Sequence, residues 1–254
     1  MNTPRTLLII CVSLSDQHDR RTFMTSQLNA IGVPFQIMDA VRVNLDAGWP
    51  EAYDRKARLR YTLSDLRAGE VGCYLSHQQC WQLFLKSDNE LCCILEDDVR
   101  LHKDFLQTVE ALCESRDSWD LVRLFAFFPC SSKKLQRIYG DHYLVDYLVK
   151  QPNGTQGYLV NRHAAQKLLE HTAKMIHAID DSIDREWEHR LRMRGLEPAI
   201  VSHNDFASTI GKRSEVKKTL AGRFVREYFR MASNLRKQIW GFRKRLHYLF
   251  HRDV

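Results

Sequence analysis

The segment Ile94-Leu-Glu-Asp-Asp-Val-Arg100 ends an apolar run in three carboxylates, Glu96, Asp97 and Asp98. Along an extended chain successive side chains point to opposite sides. Glu96 and Asp98 then share one side and Asp97 takes the other. Two carboxylates on one side can hold a hard divalent cation that also takes phosphate oxygens. Such a cation neutralises charge that builds on a departing diphosphate. The plain alternative is a polar strand end exposed to water. In open α/β sheets ligands bind beyond the carboxyl ends of strands, so this position suits chemistry.

Other residues can join it. Asp19-Arg-Arg21 follows the first apolar run, and arginine suits the planar geometry of phosphate. Arg20 and Arg21 either reach an anionic ligand or open a solvated helix. His77, in Leu66-Arg-Ala-Gly-Glu-Val-Gly-Cys-Tyr-Leu-Ser-His77, either contacts a ligand or is a hydrogen-bonded structural histidine. Glu70 caps the same helix or acts on substrate, and Gly72 permits a close backbone approach. In Gly154-Thr-Gln-Gly-Tyr158, Gln156 can bond hydroxyls, and Tyr158 either stacks on a sugar ring or packs in the core. His177-Ala-Ile-Asp-Asp-Ser-Ile-Asp184 gathers Asp180, Asp181 and Asp184. These are acid–base candidates, or caps of the next helix, where carboxylates are favoured.

The elements that must position these groups follow an α/β order. Residues 6–14 read as a strand, Asp19–Ile31 as a helix stopped by Gly32, and Pro34–Val41 as a second strand. Strand, helix and strand in about 35 residues imply a right-handed crossover and a parallel sheet. Residues 42–68 read as irregular. Gly72–Lys86 reads as a helix, Leu91–Leu95 as a buried strand, Lys103–Cys113 as a helix and Trp119–Phe128 as a central strand. Residues 129–153 read as short strands and loops, and Asn161–Met175 as a helix. Ser182–Arg194 reads as a helix, with Ile183, Trp187 and Leu191 on one face and Gly195 as its stop.

In combination these blocks resemble glycosyltransferase family 25, the lipooligosaccharide and lipopolysaccharide galactosyltransferase group. The resemblance rests on Gly69-Glu-Val-Gly-Cys-Tyr-Leu-Ser-His77, Leu95-Glu-Asp-Asp98, Trp119-Asp-Leu-Val-Arg-Leu124, Gly154-Thr-Gln-Gly-Tyr-Leu-Val160 and Ala164-Ala-Gln-Lys-Leu-Leu169. An N-terminal strand, Asp19-Arg-Arg21 and Phe35-Gln-Ile-Met-Asp-Ala40 add to it. It covers roughly residues 6–185. It implies a GT-A-like nucleotide-diphospho-sugar transferase fold, a UDP-hexose donor, most often UDP-galactose, and Mn²⁺ or Mg²⁺ as cofactor. It also implies inversion at the anomeric carbon. Under the resemblance Asp98 is the main metal ligand, and Glu96 is a second ligand or a contact to the ribose. Asp97, Arg20, Arg21, His77 and Gln156 belong to the donor site. An inverting transfer needs a base for the acceptor hydroxyl. Asp180 matches the family's aspartate best and Asp181 is next. The match is loose here, because many members have proline near position 178, where this chain has Ala178.

Composition narrows the rest. The chain has 254 residues, 44% hydrophobic and 27% charged, with few Gly and Pro, which excludes collagen-like and low-complexity chains. No apolar run approaches the roughly 18 to 20 residues that span a bilayer. Leu7–Val12 reads as a buried strand and not as part of a leader, because charged residues follow at once. The seven cysteines, at 11, 73, 80, 92, 93, 113 and 130, form no C-x-x-C and sit mostly in apolar stretches. That suits small buried side chains in a reducing compartment.

The charge is uneven. Residues 212–254 hold thirteen Lys/Arg against three acids, a net +10. The whole chain carries +7, so residues 1–211 carry −3. In this tail Leu220, Phe224, Tyr228, Met231, Leu235, Ile239, Phe242, Leu246 and Leu249 recur at helical spacing. Arg223, Arg226, Arg230, Lys237 and Lys244 fall on the other side. The pattern is a basic amphipathic helix. It docks on an anionic membrane, packs on its own domain or binds nucleic acid. The expected organisation is a GT-A-like α/β domain over 1–211, with a mostly parallel central sheet, and a basic helical tail over 212–254.

The expected protein is a metal-dependent transferase placing a hexose on a lipooligosaccharide or lipopolysaccharide. It would be cytoplasmic and peripheral on the inner face of a bacterial inner membrane, held to the anionic surface through residues 216–250 and to a membrane-embedded glycolipid acceptor. No nucleic acid is expected. The alternatives are a capsular, protein or soluble glycan acceptor, or a non-catalytic basic module that binds membranes or nucleic acid.

Overall fold

The computed structural model describes residues 7–204 and 220–250. In chain order the elements are β1 (Leu7–Ser13), α1 (His18–Ile31), β2 (Gln36–Asp39), α2 (Arg55–Tyr61) and α3 (Ala68–Lys86). Then come β3 (Leu91–Glu96), β4 (Val99–Leu101), α4 (Phe105–Glu114), β5 (Leu121–Arg123), β6 (Ser132–Tyr139), β7 (His142–Tyr147), β8 (Gly157–Asn161) and α5 (Arg162–His171). The last are α6 (Ile179–Ile183), α7 (Glu186–His189), β9 (Met193–Glu197), β10 (Val201–His203) and α8 (Leu220–Phe250).

An eight-stranded sheet runs β2-β1-β3-β8-β5-β9-β7-β6. The pairings make β2, β1, β3, β5, β9 and β6 run one way and only β8 and β7 the other. The fold is α/β and its sheet is mostly co-directional. Antiparallel β8 enters between β3 and β5, so the parallel run is interrupted.

Strand alternation divides the core. Leu8, Ile10, Val12, Cys92 and Ile94 face one layer, closed by Trp81 and Phe84 of α3 and Leu168 of α5. Ile9, Cys11, Cys93 and Leu95 face the other, closed by Met24 and Leu28 of α1 and Leu112 of α4. A strand buried on both faces reads as a continuous apolar run, as β1 and β3 do. Each fully buried Ile or Phe here contributes about 1.5–3 kcal/mol. Helix ends follow from polar neighbours. Gly32 closes α1 in the left-handed region. The Asp54 side chain accepts from the Ala57 N–H to start α2, and Asn161 accepts from Ala164 to start α5.

Several sequence expectations are corrected. Residues 42–68 contain α2. The strand expected over Trp119–Phe128 joins the sheet only at Leu121–Arg123. The helix expected over Ser182–Arg194 is two short helices that lead into β9. Gly195 lies inside that strand and stops nothing. A Cβ there would sit 2.1 Å from Tyr147 Oη, so glycine makes room for that ring.

The helix α8 packs in the opposite sense to the usual amphipathic helix. Lys244 and Lys237 of its polar side meet the body, while Arg223 and Arg230 stay exposed. Lys244 Nζ donates to Asp146 at 2.6 Å and to Glu186 at 2.5 Å, and its side chain is 10% exposed. Tyr248 Oη donates to Asp146, Arg185 donates to Ser233, and Lys237 lies over the Trp187 ring. The expected apolar stripe faces outward instead, with Phe224, Tyr228, Met231, Leu235 and Phe242 all exposed. The Leu220 side chain and residues 216–219 lie outside the described residues. Among the described residues, no helix is long and apolar enough to cross a membrane.

Candidate active site

The carboxyl ends of β2, β1 and β3 lie side by side, with Ser13 paired to Asp39 and Val12 to Glu96. A cleft of about 470 Å³ opens beyond them, against the start of α3. Glu96, Asp97, Asp98, Arg20, His77 and Gln156 all line it. Arg21 does not. Its guanidinium turns to the carbonyls of Ser13 and Leu14 and to the Asp39 carboxylate, where it ties β1 to β2.

The three acids have three environments. Strand alternation stops at Glu96, because Asp97 and Asp98 lie in the turn after β3, and Asp97 lines the same cleft as its neighbours. It accepts from Ser13 Oγ at 2.6 Å and from Arg20 at 2.8 Å, so its oxygens are committed. Arg20 is thereby buried and aimed along the cleft floor, 3.8 Å from Asp98. Glu96 accepts from Thr155 Oγ1 and faces His77 Nε2 at 3.4 Å. Burial alone would raise its carboxyl, but His77 and Thr155 outweigh burial and the net shift is downward. Asp98 is pushed up to about 6, by burial first and the Glu96 charge second, while His203 and Arg20 pull it back. Asp98 Oδ1 is buried with no hydrogen-bond partner, and Oδ2 lies 3.5 Å from His203 Nε2.

That orphaned oxygen tests the fit of a cation. A buried carboxylate oxygen without a donor is costly. Asp98 Oδ2 and His203 Nε2 lie 3.5 Å apart, whereas Glu96 groups with Cys73 and His77, whose ligand atoms lie within 4.8 Å of one another. A carboxylate with an imidazole suits Mn²⁺ better than Mg²⁺. His203 is the residue that the sequence did not reveal. The pairing of β10 with β4 sets His203 opposite Val99, next to Asp98.

The motif at α3 has a local logic. A Cβ on Gly72 would lie 2.4 Å from the Val41 carbonyl oxygen, so glycine lets segment 41–43 close the cleft wall. Ser76 Oγ accepts from the Val41 N–H at 2.8 Å and fixes the same segment. His77 is fully enclosed. Its Nδ1 meets Tyr158 Oη at 2.8 Å, and Trp81 Nε1 donates to that hydroxyl at 3.0 Å. This pairing presents Nε2, without a hydrogen-bond partner, toward Glu96. Glu70 accepts from the Arg67 N–H and caps α3. Tyr158 is buried in the core, so it does not stack on a ligand. Gln156 presents a buried, unbonded Oε1 at the cleft.

The second acidic group divides. Asp184 is a core residue paired with Arg123, and it also accepts from the Asn153 N–H at 3.2 Å. Asp180 and Asp181 open α6, which packs on α3. Neither lines the cleft. Asp180 stands near enough to Cys73, which does, to raise that thiol further above its burial-raised value. Asp181 is pushed up to about 6, by desolvation first and then by Asp180 and Asp184, although its surface reaches solvent. Cys92 and Cys93 are buried packing residues whose thiols burial raises further.

The sheet thus gathers three carboxylates, an arginine and two histidines at one cleft beyond its strand ends. The model of glycosyltransferase family 25 (LPS biosynthesis protein) matches residues 7–183, and the chain belongs to that family. It is similar to the lipooligosaccharide biosynthesis protein lic2B of Haemophilus influenzae, 28% identical over 172 residues, 65% of this chain and 63% of that one. It is similar to procollagen galactosyltransferase 1-B of Xenopus laevis, 24% identical over 245 residues, 84% of this chain and 38% of that one. It is also similar to inactive glycosyltransferase 25 family member 3 of Homo sapiens, 29% identical over 133 residues, 46% of this chain and 21% of that one. The chain thus spans less than two thirds of the length of each of these relatives.

Proposed function

We propose that this chain transfers a hexose, galactose first, from a UDP donor to a lipooligosaccharide or lipopolysaccharide acceptor, with inversion. The observation that carries the reading is Asp98, whose buried Oδ1 has no partner and whose Oδ2 faces His203 at the floor of the cleft. Asp98 and His203 would hold Mn²⁺, which supplies neutralisation of the diphosphate as it leaves.

The chain's own groups do the rest. Arg20, locked by Asp97, keeps a cation in the cleft for phosphate oxygens. Gln156 offers a side-chain amide to sugar hydroxyls. His77 orients Glu96. On the acceptor side a carboxylate of Asp180 or Asp181 takes the acceptor hydroxyl proton as its oxygen attacks the anomeric carbon.

The name of the Haemophilus relative supports a glycolipid acceptor, and that of the Xenopus relative supports galactose. A capsular, protein or soluble glycan acceptor is the rival within the same chemistry. The inactive relative makes turnover the decisive readout. The test is UDP release from a panel of UDP-sugars, with and without lipooligosaccharide extract. Turnover of UDP-galactose that rises with the extract supports the reading. Turnover with another UDP-sugar alone corrects the donor, and silence with every donor and acceptor overturns the reading.

A further inference from the structure

The outward face of α8 is an unusual surface. Phe224, Tyr228, Met231, Leu235, Ile239 and Phe242 are each 45–77% exposed along one side of a 31-residue helix. At 100° per residue they share an arc of about 80°. Exposed Arg236 and Arg243 border that arc on one side, and Arg223 and Arg245 on the other. Lys244, Lys237 and Ser233 of the polar side are already spent on the body. Between α7 and α8 lies a cleft of about 480 Å³, lined by Arg190, Arg236, Arg243, Trp187 and Trp240 and rimmed by Ile239 of the apolar stripe. Its one acid, Glu188, is bonded to Arg185 at 2.6 Å. The Trp187 and Trp240 indole nitrogens are buried without acceptors.

From this arrangement we infer that α8 lies flat in the interface of an anionic bilayer. The apolar stripe enters the acyl boundary, and the Arg190, Arg236 and Arg243 cleft takes the phosphate of a lipid headgroup. A helix with an apolar arc between rows of cations is the form that rests on such surfaces. A second copy of the chain is the poorer occupant. On the described part of α8 the one acid is Glu227, which Arg226 and Arg230 already engage, so paired stripes would bring arginine against arginine. The inference stands apart from the donor reading, because it concerns binding and not turnover.

The test is flotation of the full chain with vesicles of phosphatidylcholine alone or with about 30% phosphatidylglycerol. Leu235→Glu with Phe242→Glu changes two exposed side chains, and circular dichroism checks that the fold is kept. The wild type floats with the anionic vesicles. The double glutamate variant stays in the dense fraction. Arg236→Gln with Arg243→Gln lowers the bound fraction on the order of tenfold and removes the preference for anionic lipid. Equal flotation of the wild type and the glutamate variant overturns the inference. So does vesicle-free self-association that the glutamate variant abolishes, because the stripe then belongs to a second copy.

Discussion

Arg123 and Asp184, sixty-one residues apart, form a fully enclosed ion pair beneath the loop that carries Gln156. Arg123 also donates to the Gly154 carbonyl, and Asp184 accepts from the Asn153 N–H. One guanidinium thus joins β5, the 153–156 loop and the end of α6. Arg123 is a positioning residue. Arg123→Met leaves a carboxylate buried without its partner and costs about 3–5 kcal/mol. Arg123→Met combined with Asp184→Leu recovers part of that loss. Urea denaturation checks it, and strictly additive losses would contradict the pairing.

Asp97 and Asp98 are neighbours with different work. Asp97 is committed to Ser13 and Arg20, whereas Asp98 is open. Asp97→Asn lowers stability by about 1–3 kcal/mol, yet keeps the cation dependence of donor binding. Thermal melts and Mn²⁺ titration of donor binding separate the two effects.

Activity falls in mild acid if Asp181 is the base. Its carboxyl is pushed up to about 6. A base must be deprotonated, so turnover is held above that value and lost as the pH drops through it. The expected pH–rate profile has an acid limb near 6, and Asp181→Asn removes turnover. If Asp181→Asn keeps turnover while Asp180→Asn abolishes it, the base is Asp180.

Lys244 holds α8 to the body through two carboxylates, each 3% exposed. Lys244→Met leaves Asp146 beside Glu186 with less positive charge and frees the helix. Limited trypsin digestion is expected to cut residues 220–250 at least several-fold faster, with UDP-sugar turnover kept on soluble acceptors. An unchanged cleavage rate would place the anchoring elsewhere.

The sequence exposes local features of the site and hides distant ones. Glu96 to Asp98 stand out because an apolar strand ends abruptly in acids, but period-two alternation does not reach Asp97, which lies with Asp98 in the turn after β3 and lines the same cleft. Gly72, Ser76 and His77 are visible as a motif, but their work depends on Val41, Glu96 and Tyr158, which chain separation conceals. His203 gives no signal because only the β4–β10 pairing brings it to Asp98. Gly195 reads as a helix stop because the Tyr147 ring that requires it comes from β7. The periodicity of α8 is plain in the sequence. Its sidedness is not, because Asp146 and Glu186, which draw Lys244 inward, belong to different elements.

The most direct test of the central claim is calorimetric titration of UDP-galactose into the wild type and Asp98→Asn, each with Mn²⁺ and with EDTA. The account predicts that Mn²⁺ tightens binding to the wild type by on the order of tenfold or more and leaves Asp98→Asn unaffected. Equal affinity with Mn²⁺ and EDTA, or a wild-type response in Asp98→Asn, would contradict it.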